Sequence, residues 1–165
     1  KLLVRATPNN VLVGGTFNVV AKFAAPGAGE IMFDGTTHPV TFTPVAGPGG
    51  SSKITMASHA IMAMNAGKFT VVVVAPDGET ATTTVRVVTR QMPATAQAGS
   101  VQRVVVRYGL PGSIVRFTIG RTTHIARVAS RATSTVITFR VPAKGYNIVK
   151  MTVGKLVWPT ATPMM

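Results

Sequence analysis

The sequence predicts an all-β chain built of two tandem β-sandwich units. Three observations lead there. Apolar and polar residues alternate with a period of two over several stretches, the signature of strands with one face on a core. Gly, Pro, Asn and Asp cluster at intervals of about 8–12 residues, the turn spacing of a sandwich. The sequence also repeats itself, 14–75 against 98–153, which divides the 165 residues into units at 1–90 and 91–165.

In the first unit Phe17, Val19, Ala21 and Phe23 alternate with Asn18, Val20, Lys22 and Ala24, so a strand is expected with the first set inward. Pro26-Gly27 turns the chain into the next strand, and Asp34-Gly35 makes the hairpin that follows Ile31–Phe33. His38, Val40 and Phe42 then point inward, before a Gly- and Pro-rich loop over Val45–Ser52. Met56–Ala66 is rich in good helix formers. Its counterpart in the repeat, Thr133–Ala143, reads as a strand, so Met56–Ala66 is read as a strand too. Thr70–Ala75, Pro76-Asp-Gly-Glu79 and Thr80–Val88 form a hairpin. Met92–Ala98 reads as a linker, and the units are either rigidly packed or hinged near Thr89–Gln97.

The second unit follows by correspondence, with six or seven short strands per unit. Phe23-Ala-Ala-Pro26-Gly27 matches Tyr108-Gly-Leu-Pro111-Gly112, and Ile31-Met-Phe33 matches Val115-Arg-Phe117. Gly35-Thr-Thr-His38 matches Gly120-Arg-Thr-Thr-His124 with one inserted residue. Beyond the loop, Ala60, Met62 and Met64 fall on Ile137, Phe139 and Val141, and Phe69 falls on Tyr146. That register turns Ala60, Met62 and Met64 inward. Of the second unit's aromatics, Phe117, Phe139, Tyr108 and Tyr146 are expected to be buried. The end of the chain, from Trp158 to Met165, reads as a short tail.

The Gly15–Ala21 strand (Gly-Thr-Phe-x-Val-x-Ala), the hairpin Glu30-Ile-Met-Phe-Asp-Gly35 and the strand Ala66-Gly-Lys-Phe-Thr-Val71 resemble the bacterial immunoglobulin-like domains found in tandem on cell-surface and phage virion proteins. The resemblance covers most of 14–88 and, less fully, 98–158. It implies immunoglobulin-like sandwiches that act as structural spacers, adhesive modules or decoration units. The second copy lacks the Asp-Gly pair and ends near Trp158-Pro159, where its last strand should run. That strand is either short or supplied by a neighbour.

Composition bounds the rest. There are no cysteines, which excludes disulfides and thiolate metal sites. No apolar run approaches the ~20 residues of a membrane-spanning helix. The chain begins at Lys1, which reads as a processed chain or an excerpt of a longer one.

Charge is the most unequal property. Residues 1–90 hold seven basic and four acidic side chains, whereas 91–165 hold ten basic and none acidic. The ten are Arg103, Arg107, Arg116, Arg121, Arg127, Arg131, Arg140, Lys144, Lys150 and Lys155. Such a block repels itself and attracts acidic surfaces. By alternation Arg103, Arg107, Arg127 and Arg140 point outward, and in an immunoglobulin-like sandwich their three strands share one sheet. They are expected to form one basic face, with Arg116 on the other sheet. These five are the expected partner-binding residues.

No catalytic or cofactor-binding residue is assigned. His38 and His124 stand at equivalent repeat positions, as fold-supporting residues do. His59 has no carboxylate or serine partner in view. Glu30, Asp34, Asp77 and Glu79 lie at strand ends and turns, where carboxylates are ordinarily solvated, and paired acid–base work needs two of them converging. Asp34, Asp77 and Glu79 make a thin case for Ca²⁺, which needs six or more oxygens. No metal site is therefore expected.

Arg outnumbers Lys ten to seven, and Arg suits ordered, bidentate protein contacts. The expected function is a non-enzymatic structural or decoration module of a large extracellular, cell-surface or virion assembly. Its basic second unit docks on an acidic protein surface or on copies of itself. The alternative is a polyanion-binding module for nucleic acid or acidic glycan through phosphate-type contacts. The exposed aromatics of a single-strand stacking platform are lacking in that alternative.

Overall fold

The computed structural model describes residues 1–45, 54–92, 97–142 and 148–158. These contain strands and turns and no helix. The chain divides into two compact units, Lys1–Arg86 and Val87–Met165.

The first unit holds β1 (Leu3–Thr7), β2 (Asn10–Leu12), β3 (Thr16–Phe23), β4 (Gly27–Phe33), β5 (Thr36–Pro44), β6 (Thr55–Met62), β7 (Gly67–Val74) and the start of β8 (Thr80–Gln91). One layer is β1-β3-β6, the other β5-β4-β7-β8, with β2 pairing β8. The strand β5 links the layers. It pairs β4 from Thr36 to Phe42, and then Thr43 and Pro44 pair Met56 and Thr55 of β6. The predicted alternation of β3 holds, since Phe17, Val19, Ala21 and Phe23 are all buried. Phe17 meets Phe33 edge-on at 5.0 Å and Phe23 meets Phe42 at 6.1 Å, so aromatic rings from the two layers interlock.

The turn chemistry is where the sequence places it. Asp34 and Gly35 both have positive φ (47° and 78°), the two-residue type I′ geometry that Asp-Gly favours. Asn65 donates to the Asp34 carboxylate at 2.8 Å. In the β7–β8 turn the Gly78 N–H donates to Ala75 O and the Glu79 N–H to Asp77 Oδ1. Gly29 is needed for space: a Cβ there would lie 2.5 Å from Val74 O and 2.6 Å from the Phe42 ring. Thr55 is buried, and its hydroxyl is shared between the carbonyls of Phe23 and Ala25, at 3.1 and 3.0 Å.

Met56–Met62 is strand, as the repeat argued, but in the opposite phase. Ala57, Ile61 and Ala63 are buried, while Met62 and Met64 are exposed. Ile61 stands opposite Phe17 on β3, and Phe139 stands opposite Gln102, the residue equivalent to Phe17. Ile61 therefore corresponds to Phe139, and the expected alignment is off by one residue. One residue is enough to exchange the two faces of a strand. The hairpins also realign. Phe33 opposes Thr36 and Ile119 opposes Thr122, which puts His38 on His124 with no insertion between hairpin and histidine. Phe33 then corresponds to Ile119 rather than to Phe117.

The second unit holds the end of β8, β9 (Val101–Arg107), β10 (Ile114–Ile119), β11 (Thr122–Arg127), β12 (Ser134–Arg140), β13 (Ile148–Val153) and β14 (Leu156–Val157). One layer is β8-β9-β12 and the other β11-β10-β13-β14. Phe117 of β10 meets Phe139 of β12 edge-on at 5.5 Å, across the layers. The last strand, β14, has two residues.

Thr89–Gln91 is part of β8, paired to Arg107–Val105 of β9; 93–96 of the expected linker lie outside the described residues. Two further expectations change here. Trp158 is packed rather than part of a tail: it is buried, and its N–H donates to Met151 O at 2.9 Å. Tyr108 is half-buried with φ of 62°, because it follows β9 where the chain bends. Tyr146 and Lys144 lie outside the described residues.

Candidate interaction surfaces

The strand β9 buries Val104 and Val106, so Val101, Arg103, Val105 and Arg107 face outward. On β12, Ile137 and Phe139 are buried, which turns Ser134, Val136, Thr138 and Arg140 to the same outer face. Arg103 opposes Thr138, Arg107 opposes Ser134, and Arg140 opposes Val101. Arg103 and Arg140 are thus diagonal neighbours, roughly 7–8 Å apart at Cα. Arg107 lies about 13 Å further along β9 from Arg103. Arg107 donates to Ser134 Oγ at 3.2 Å, and Arg140 donates to the Gly99 carbonyl at 2.6 Å. Each bond uses one of five guanidinium N–H groups, so most of the donors remain for a partner.

Arg127 does not belong to this face. Its strand, β11, pairs β10 alone among the described strands, with Arg127 opposite Ile114 and Arg116 opposite Ile125. In the first unit β5 runs on to Pro44 and crosses to β6, which is the arrangement expected for both units. In the second unit β11 is six residues rather than nine and lies beside β12 without pairing to it. Arg116 and Arg127 therefore lie on a second outer face, and Lys150, at the irregularity of β13, is exposed as well. Arg127 donates to the Gly112 carbonyl at 3.1 Å. The five expected residues are all exposed, but they divide three and two between the unit's opposite layers.

Neither face is purely cationic. Val101 (56% exposed) and Val136 stand among Arg103, Arg107 and Arg140; Ile125 (55% exposed) stands opposite Arg116, and exposed Val157 lies two strands from Arg116, opposite Thr152. The sequence reading missed these aliphatic residues. Their signal is alternation itself, since Val136 and Ile125 occupy outward positions between inward ones. Arg121 at the β10–β11 hairpin, Arg131 before β12 and Lys155 before β14 are exposed as well.

Arg90 was also missed as a special residue. It opposes Val106 and so takes the inward phase of β8. Its guanidinium lies 5.3 Å over the Trp158 ring centroid and donates to Met151 Sδ at 3.4 Å. Burial lowers its pKa from the ordinary arginine value. A cation on the open face of an indole is the favourable geometry of a cation–π contact.

The histidines pack against other rings, and Asp34, Asp77 and Glu79 have local hydrogen-bond partners. His124 stacks on Phe117 at 5.2 Å and lies 5.8 Å from Phe139. The rings of His38 and His59 lie 4.8 Å apart. Glu79 accepts a hydrogen bond from the Leu2 N–H, Asp77 caps its own turn, and Asp34 is held by Asn65. Among the described residues no group of three or more His, Cys, Asp or Glu converges as metal ligands do, and no helix is long and apolar enough to cross a membrane.

No protein-family model matches the chain, and no curated protein matches it. Among solved structures it is similar to fibronectin(III)-like modules of Clostridium thermocellum CbhA (13% identity, 99% of this chain and 90% of that one, TM-score 0.34). It is similar to Salmonella alpha-2-macroglobulin reacted with methylamine (9% identity, 99% and 14%, TM-score 0.36). A third is the Bacteroides ovatus mixed-linkage glucan utilization protein SGBP-B in complex with a mixed-linkage heptasaccharide (19% identity, 94% and 42%, TM-score 0.31). With TM-scores this low, these likenesses add nothing to what the strand pairing itself shows about the fold.

Proposed function

We propose that the chain is a non-enzymatic attachment module of two immunoglobulin-like units, part of a large extracellular, cell-surface or virion assembly. The second unit docks on an acidic protein surface. The observation that supports this is the composition of its outer faces, where exposed arginines stand beside exposed valine and isoleucine and no carboxylate occurs from Val87 onward. Arginine with aliphatic contact area is the make-up of an ordered protein interface. A surface meant only for a polyanion gains nothing from Val101, Val136, Ile125 and Val157.

The test is capture of the purified chain on immobilised acidic protein and on heparin over a series of salt concentrations. Two variants separate the faces: Arg103→Glu/Arg107→Glu/Arg140→Glu, and Arg116→Glu/Arg127→Glu. The expected result is capture on acidic protein that one variant abolishes while far-UV circular dichroism stays unchanged. Capture on heparin alone, falling steeply with salt, would transfer the function to polyanion binding. If both variants are retained like the wild type, the basic faces are not the docking surface.

A further inference from the structure

The second unit has an open strand edge. Its residues β12 (Ser134–Arg140) pair β9 in unbroken register and no other strand among the described residues. The flanking bonds fix which backbone groups face β9: Thr133 O accepts from Tyr108 N–H, Val141 N–H donates to Ser100 O, and Val141 O accepts from Gly99 N–H. Backbone direction alternates along an antiparallel strand. The groups of Ser134, Val136, Thr138 and Arg140 therefore point away from β9, to the side where β5 pairs Thr55 and Met56 of β6 in the first unit. Natural sheets protect such edges with proline, bulges or a covering segment, and no proline or register shift interrupts β12.

Among the described residues β11 lies beside this edge without pairing to it, and the space between them is only partly filled. The short β11 leaves its inward-facing Ala126 half-exposed. An open hollow of about 570 Å³ lies between Thr122 at the start of β11 and Arg140, Val141 and Pro142 at the end of β12. Charge decides what can enter. A second copy would bring Arg140 and Arg107 of one chain against the same residues of the other, with no acidic side chain in either second unit to offset them. An acidic strand meets Arg140 directly, with Arg103 and Arg107 one strand further, about 10 Å away.

We propose that the β12 edge receives an extended acidic segment of another protein by strand addition. This inference rests on the reading that the second unit docks on an acidic protein. The added strand pairs its backbone with Ser134, Val136, Thr138 and Arg140. Alternate acidic side chains lie over the outer face with Arg140, and the intervening small apolar ones cover Ala126. Backbone pairing supplies affinity and the alternating pattern supplies selectivity.

The test uses a blocked octapeptide of alternating Val and Glu, the same peptide with one central Val replaced by proline, and heparin, each added to the full chain. The proposal expects the alternating peptide to protect the Val136 and Thr138 amides from hydrogen exchange, and the proline peptide to fail. Thr138→Pro removes an edge-facing N–H and no bond to β9, a position where proline is tolerated. It should weaken the alternating peptide roughly tenfold while leaving heparin capture unchanged. If Thr138→Pro does not fold, amide protection in the wild type decides alone. Equal binding of both peptides, without protection of Val136 and Thr138, overturns strand addition and leaves the basic-face reading standing. Salt-stable dimerisation that protects the same amides overturns the acidic occupant. Binding of neither peptide overturns strand addition, while the docking reading stands or falls on capture by acidic protein.

Discussion

Replacing Ile61 by alanine should cost the first unit about 3 kcal/mol, whereas replacing its neighbour Met62 should cost less than about 0.5 kcal/mol. Ile61 is 4% exposed and stands opposite Phe17, whose ring packs edge-on against Phe33. Truncation there leaves a void walled by aromatic rings and β-sheet backbone, which relax little. Met62 is 57% exposed, opposite Thr16, so truncation removes atoms that already lie mostly in water. In a unit of this size each kcal/mol lowers Tm by roughly 4–8 °C. Ile61→Ala should therefore melt more than 10 °C early. The assay is guanidinium or thermal unfolding followed by far-UV circular dichroism. The single tryptophan, Trp158, reports the second unit separately by fluorescence. Equal losses for the two variants, or a larger loss for Met62→Ala, would refute the phase of β6 and restore the alignment that turns Met62 inward.

Two further outcomes follow from packing. Gly29→Ala should destabilise the first unit by about 2 kcal/mol or more, since its Cβ meets the Val74 carbonyl and the Phe42 ring inside van der Waals contact; chemical denaturation measures this, and a neutral result would mean that β4 and β7 stand further apart. Arg90→Ala should shift Trp158 emission to the red and cost the second unit about 1 kcal/mol, through the lost cation–π contact and the lost cover of its side-chain stem. Unchanged emission would place Arg90 away from the indole.

Strand existence was legible because each strand carries its own evidence. Phe17–Phe23 and Val104–Val106 alternate cleanly, and Asp34-Gly35 is a hairpin turn by its own dihedral preferences. The exposure of all five expected arginines followed from the same alternation, because an outward position is a property of one strand. The grouping of those arginines did not follow. Which sheet Arg127 joins depends on where β11 ends, and nothing in Thr122–Arg127 distinguishes a strand that crosses to its neighbour from one that stops. The phase of β6 was hidden for a different reason. Thr55–Ala63 is apolar in both phases, Met56, Ala60 and Met62 in one and Ala57, Ile61 and Ala63 in the other, so periodicity alone is degenerate there.

Arg90 shows the limit most plainly. Val87 and Val88 are consecutive and both fully buried, so β8 is covered on both faces at that point. The phase that buries Val88 carries Arg90 inward, to Trp158. A charge count sees Arg90 as one more cation, and only the fold sets an indole beneath it. The sequence by itself determined the strands, their turns, the repeat and the sign of the second unit's surface, because these depend on residues within reach of one another along the chain. The tertiary structure decided strand phase where both faces are apolar, the sheet each arginine joins and the open edge of β12, because these depend on which segments meet across the sandwich.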